Sequence, residues 1–220
     1  MSYDITVEGG TSVRLTTAGK YCDRDIVVTA TGGGGINDFL EGKLEEVNCD
    51  GCTEVNPYFY YKNNGIKKIV HKNVTTVGAY NFNNCDSLEI IDLPIATGSF
   101  GNYVFYNCDN LTTVNVPYVT EVGQYSFQSC PKLTKLDFHK IEKFGNYCLR
   151  YTTNLETLIL RKSDGVVTRG SSVLSGSGIA NKKGYIYVPK ALIEDYKVSS
   201  GWSNLASQFR AIEDYPDICG

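Results

Sequence analysis

Histidine is almost missing from this chain: its 220 residues include 2 His, 1 Trp and 1 Met. With so few imidazoles, Ser/His/Asp and Cys/His catalytic constellations have few ways to assemble, and so do histidine-based metal sites. A basic surplus is missing too. The net charge is -3 and the pI about 5.5, whereas nucleic-acid binders carry a basic excess or stripe. The small clusters Lys67, Lys68, His71, Lys72 and Lys132, Lys135, His139, Lys140, Lys143 read as solvated faces of an acidic molecule. No apolar run reaches the roughly 18 residues of a membrane-spanning helix, so no membrane insertion is expected. The opening MSYDITVEGGTSVRL lacks a basic start and an apolar core, so no secretory signal is expected, and synthesis belongs to a cytoplasm. The glycine run at 32–35 has no GK[ST] after it, and SDGVVTRGSSVLSGSG has no G-x-S-x-G elbow. Catalytic residues, cofactors and metal ligands are therefore all expected to be none.

What the chain has is a repeat. VGAYNFNNCDSLEIIDLP begins at Val77, FGNYVFYNCDNLTTVNVP at Phe100, VGQYSFQSCPKLTKLDFH at Val122 and FGNYCLRYTTNLETLILR at Phe144. Gly78, Gly101, Gly123 and Gly145 stand 23, 22 and 22 residues apart. A period of that size marks a solenoid. Each unit is too small to bury its own apolar face and is stable only when stacked on neighbours. A further unit runs through VNPYFYYKNNGIKKIVH, with Asn56 aligned to Gly78, Tyr60 to Phe82, Ile66 to Leu88 and Ile69 to Ile91. Leu44 and Val47 keep only the strand positions and read as an N-terminal cap. Leu174 and then GYIYVP at 184–189 give a degenerate final coil.

Within a unit, L-x-x-[VI]-x-[LVF] is the strand. Leu88, Ile91, Leu93 point inward, as do Leu111, Val114, Val116, then Leu133, Leu136, Phe138, then Leu155, Leu158, Leu160. Phe82, Phe105, Phe127 and Leu149 form a second inward row. The repeated glycines are expected to allow a tight corner, and Pro94 and Pro117 to end their strands. Residues 1–31 differ: two alternating runs around Thr17-Ala18-Gly19 read as a small β-rich arm. Residues 32–36 hold a glycine joint, 37–189 the solenoid, and 190–220 a helical cap, with Leu192, Ile193, Tyr196 and Trp202, Leu205, Phe209 at helical spacing. Pro189 is placed at the first helical position, and Trp202 closes the open end of the core.

The pattern [VIF]-G-x-Y-x-F-x-x-C-x-x-L-x-x-[VI]-x-[LV]-P resembles the BspA-type leucine-rich-repeat family over about residues 40–189. The fourth copy departs from it, with Leu149 for Phe and Thr152 for Cys. The resemblance implies a mainly β (α/β solenoid) fold, a right-handed leucine-rich-repeat superhelix with short helices, used for protein or host-surface binding without catalytic residues. TTAGKYCDRDIVVTA resembles a segment near the start of many structural proteins of phages and prophages of Gram-positive gut bacteria. YIYVP with the following L-x-x-x-Y-K and W-S resembles the closing segment of repeat proteins from the same sources. These likenesses imply a virion protein of tail, baseplate or head. Residues 1–31 would attach to other virion proteins, the repeat body would contact a host-surface protein or glycan, and the particle would carry a homo-oligomer. The alternatives are an intracellular protein-binding module or a surface adhesin.

Among the 8 cysteines, Cys85, Cys108 and Cys130 share one repeat position. Rungs about 4.8 Å apart exceed the disulfide Cβ separation of about 3.8 Å, so a ladder of free thiols is expected. Cys49 and Cys52 form a CxxC, with no second CxxC to complete a zinc site. His71 and His139 read as strand-end residues at one repeat position, too far apart to meet. Tyr58, Tyr80, Tyr103, Tyr125 and Tyr147 recur at another position. They either stack on one another at the edge of the array or offer an aromatic binding strip. The second candidate surface is the outer strand face. Lys68, Ile90, Thr113, Lys135 and Thr157 form one row, and Val70, Asp92, Asn115, Asp137 and Ile159 the other.

Overall fold

A computed structural model of the chain describes residues 57–220 together with 14–16, 46–48 and 53–55. The glycine joint, Cys49, Cys52, Asn56, Leu44 and all of the expected arm except 14–16 lie outside the described residues.

Short strands alternate between two faces of a β-solenoid. The first face takes β1 (Arg14–Thr16), β2 (Glu46–Asn48), β4 (Lys68–Val70), β6 (Ile90–Asp92) and β8 (Thr113–Asn115), and continues in β10 (Lys135–Phe138), β12 (Thr157–Leu160), β14 (Tyr185–Val188) and β15 (Phe209–Ala211). The second face takes β3 (Glu54–Val55) and β5 (Thr76–Val77), then β7 (Gly98–Phe100), β9 (Val119–Val122), β11 (Lys143–Phe144) and β13 (Thr168–Arg169). Every pairing is parallel, and along the first face the repeat sets the register: Ile69 faces Ile91, Ile91 faces Val114, and Leu136 faces Leu158; on the second face the β7–β9 register shifts between Gly98 and Ser99. Parallel strands one coil apart put like residues on like, so one choice of side chain is read out as a column. Leu88, Ile91, Leu93, Leu133, Phe138, Leu155, Leu158 and Leu160 are buried as expected, and Val114 is partly so. The strand read around Val13 and Leu15 is present at Arg14–Thr16, and its partner is β2.

The C-terminal segment is less helical than its spacing suggests. Lys190–Leu192 is a 3-10 turn with Pro189 as its cap, Ile193–Val198 is an α-helix, and Ser203–Gln208 is 3-10. Phe209 then begins β15, which pairs parallel with β14 and adds a rung beyond the expected last coil. Trp202 is 1% exposed and donates its indole N–H to Val167 O at 2.7 Å. Tyr196 Oη accepts from Val167 N at 3.0 Å. These two aromatics seal the core with their polar atoms satisfied.

The glycine column has a different cause from the expected corner. None of Gly78, Gly101, Gly123 and Gly145 has positive φ. A Cβ on Gly101 would meet Ala79 Cα at 2.7 Å, and one on Gly123 would meet Gly101 O at 2.5 Å. Close approach of successive coils, not backbone freedom, excludes a side chain there.

Candidate interaction site

The third side of the solenoid is built from turns, and it holds the tyrosine row. Tyr80, Tyr103 and Tyr125 each donate a backbone N–H to the next coil, at Asn102 O, Gln124 O and Asn146 O. Phe82, Phe105 and Phe127 do the same two residues on. Coils on this side are therefore tied along the axis without being strands. In each coil the tyrosine is left-handed, with φ between 59° and 64°, and so is the residue four positions later. That conformation costs an ordinary residue about 1–2 kcal/mol, and ring stacking offsets it. Tyr58, Tyr80, Tyr103, Tyr125 and Tyr147 stack with centroids 4.9, 4.8, 4.7 and 5.1 Å apart and planes within 17°. Tyr60, Phe82, Phe105 and Phe127 stack inside at 5.2, 5.1 and 4.9 Å.

Stacking decides what this side can present. The ring faces are consumed by neighbours, and ring edges and hydroxyls remain. Tyr61 and Tyr106 pack edge-on against the row at 5.6 and 5.5 Å. At the other end the Arg150 guanidinium lies 5.4 Å from the Tyr147 centroid and 4.4 Å from that of Tyr151, and donates to Tyr151 Oη at 2.6 Å. Tyr58, Tyr61 and Tyr151 are 46%, 39% and 44% exposed. Gln128 Oε1 and Arg150 Nε are buried on this side with no hydrogen-bond partner.

The outer strand face is committed to contacts within the chain. Asn115 donates to Asp92 at 2.6 Å. Asp137 takes both arms of Arg161 at 2.8 Å, and Lys135 Nζ donates to Ile218 O at 2.8 Å. Val70 and Ile159, expected outside, are buried. For Ile159 the reason is the C-terminal segment, which lies across this face. Ile159, Tyr187 and Cys219 form a second small core with Ile212 and Ile218.

The cysteine ladder forms as expected: Cys85, Cys108 and Cys130 each donate to a carbonyl of the preceding coil, Tyr60 O, Phe82 O and Phe105 O, at 3.0 Å. All five described cysteines are free. Burial pushes the Cys85 thiol up to about 12 and drives Cys108 and Cys148 upward as well, so none of these three supplies a thiolate at neutral pH. The histidines do not share a repeat position. Val70 faces Asp92, which puts His71 level with Leu93, an inward position, whereas His139 is level with Pro94 and Pro117 and is exposed. His71 is fully buried, with Nδ1 3.1 Å from Val70 O and Nε2 3.0 Å from Tyr60 Oη. A carbonyl only accepts, so Nδ1 carries the proton and the tyrosine donates to Nε2. Burial lowers the imidazole to about 4, against a smaller opposing effect of Val70 O. No described helix is long and apolar enough to cross a membrane.

Residues 43–179 match the family described as BspA type leucine rich repeat region, in 6 copies. Among solved structures the chain is similar to a leucine-rich-repeat protein of T. pallidum, with a TM-score of 0.53 and 18% identity over 88% of this chain and 90% of that one. A leucine-rich-repeat protein of Bacteroides ovatus gives a TM-score of 0.46 and 17% identity, over 86% of this chain and 58% of that one. No curated protein matches significantly.

Proposed function

Since the chain belongs to the BspA-type leucine-rich-repeat family, we propose that it is a non-enzymatic binding protein whose tyrosine-lined turn side docks a protein partner. The stacked row, with its exposed end Tyr58 and the exposed Tyr61 and Tyr151 beside it, carries this reading. Tyrosine, asparagine, serine and arginine with few charges is the chemistry of protein-recognising loops. The row is ordered before binding, so little side-chain entropy is lost on contact. Arg150, held between two tyrosines, is the kind of anchor that dominates interface energies. A glycan would pack its apolar ring face on an open aromatic face, and within this row those faces are already stacked. The outer strand face is the weaker candidate, because Lys135, Asp92, Asn115 and Asp137 already serve partners within the chain.

The setting in this reading is a phage particle. Residues 1–31 attach to other virion proteins, the array is displayed as a homo-oligomer, and the partner is a host-surface protein. The support is the likeness of TTAGKYCDRDIVVTA to phage structural proteins and the four glycines that follow the arm. Mass spectrometry of particles induced from the source bacterium tests the setting, which fails if the chain is in the lysate and not in the particles.

Serine is already accommodated at two left-handed positions of this side, Ser129 and Ser172. Ser129 holds the repeat position of Tyr151, and Tyr61 is not left-handed, so Tyr61→Ser/Tyr151→Ser tests the docking surface with little backbone strain. Its loss of a surface protein retained by the wild-type chain supports the reading. Equal retention, or retention abolished by periodate and not by protease, overturns it.

A further inference from the structure

The corner where the first face turns into the second is irregular in one coil. In the other described coils it takes three to five residues, as in 139–142 between β10 and β11, but 161–167 between β12 and β13 is seven. Insertions in a repeat array fall in loops on one side and often build its binding features. The longer loop includes Ser163, Asp164 and Gly165, whose φ is 139°. It stands beside the preceding corner, and a cleft of about 300 Å³ lies between them. His139, Lys140 and Glu142 line one wall and residues 161–164 the other.

The residue types change at the same place. Two earlier coils carry Pro94-Ile95 and Pro117-Tyr118 at these positions, and the next two carry His139-Lys140 and Arg161-Lys162. Rungs about 4.8 Å apart therefore bring four basic groups to one corner. Asp137 neutralises Arg161. Among the described residues Lys162, whose side chain is 19% exposed, is paired only with Asp164, whose side chain is 84% exposed. Among the described residues Lys140 makes no ion pair. Asp164 thus sits on a sheltered ammonium from the solvent side, as an incoming anion would. Its carboxyl is held below the usual range by the hydrogen bond from Lys162 and then by that cation's charge, with Lys140 adding a smaller effect.

We propose that this cleft is an anion site that takes a sulfate or phosphate group, which displaces Asp164 from Lys162 and is flanked by Lys140 and His139. Leaving the cleft, Asp164 removes one of the two carboxylates that line it, and Glu142 stays at the far wall. The group arrives either as the free ion or on a polysaccharide. The site is separate from the tyrosine row, and either reading can fail without the other.

The test is titration of the full chain with sodium sulfate against sodium chloride at matched ionic strength, followed by amide NMR, and in parallel with a heparin-derived sulfated oligosaccharide. Sulfate is expected to shift resonances of 139–142 and 161–166. Lys140→Gln, an exposed change that leaves the fold intact, weakens binding about tenfold, as loss of a charge-assisted contact should. Asp164→Asn strengthens binding by removing the competing carboxylate. Tighter binding of the oligosaccharide assigns a polyanionic glycan as the source, and equal binding per sulfate assigns the free ion; both uphold the cleft. Shifts scattered over the surface, or titrations unchanged by both substitutions, overturn it.

Discussion

Gly123 shows how a single atom is excluded. A methyl group there would sit 2.5 Å from Gly101 O and 2.6 Å from Gly101 C, both backbone atoms that cannot swing away. Gly123→Ala should therefore lower stability by about 1–3 kcal/mol, the range for overpacking, in denaturant unfolding. An unchanged midpoint would mean that the coils separate easily. His71 and Tyr60 give the second residue-scale prediction. Tyr60 is level with Phe82 and His71 with Leu93, so one polar pair replaces two apolar residues near the start of the described array. The folded imidazole titrates near 4 and the unfolded one near 6.5. Between those values the unfolded chain binds a proton that the folded chain does not. The stabilising contribution is complete above about 6.5 and is lost as pH falls toward 4, by about 3 kcal/mol. His71→Leu alone orphans the Tyr60 hydroxyl and should cost about 1–3 kcal/mol at neutral pH. Tyr60→Phe/His71→Leu should recover that loss and flatten the pH 4–6.5 component in unfolding curves.

At the scale of elements, each coil supplies one rung of several ladders, and what the ladders share was legible in the sequence. The period placed the strand leucines, the phenylalanine row, the thiol row and the tyrosine stack, because a parallel in-register array turns a repeated residue into a column. What was not legible breaks the period. β15 and the small core of Ile159, Tyr187 and Cys219 depend on how the C-terminal segment folds back, and no repeat position encodes that contact. The offset of the two histidines was missed because the spacing of 68 residues is near three periods, although the coils are not all equal in length. The thiol ladder has its own test. Cys85, Cys108, Cys130 and Cys148 are buried, and burial shifts the thiols of Cys85, Cys108 and Cys148 upward. Brief alkylation of the native chain, read by peptide mass spectrometry, should leave those four unmodified until denaturant is added. Rapid native labelling would show that the coils open locally.

At the scale of the whole molecule, the solenoid has two strand faces and one turn side, and they are not equivalent. One strand face spends its outer polar groups on internal partners and is crossed by the C-terminal segment near β12 and β14. The turn side carries the row of stacked tyrosines with exposed rings at its margins. Under the proposed docking, stability and recognition are linked: the column that ties the coils together would be the surface a partner meets. Substitution inside the row should affect both, whereas substitution at Tyr61 and Tyr151, at its margins, should affect recognition far more than stability.

The most direct measurement is a paired capture from surface fractions of the source bacterium. It uses the wild-type chain, Tyr61→Ser/Tyr151→Ser and the strand-face variant Asp92→Lys, all matched for melting temperature. A protease-sensitive partner should be retained by the wild-type and Asp92→Lys chains and lost from the tyrosine variant. Retention by the tyrosine variant with loss from Asp92→Lys would contradict this and move recognition to the strand face.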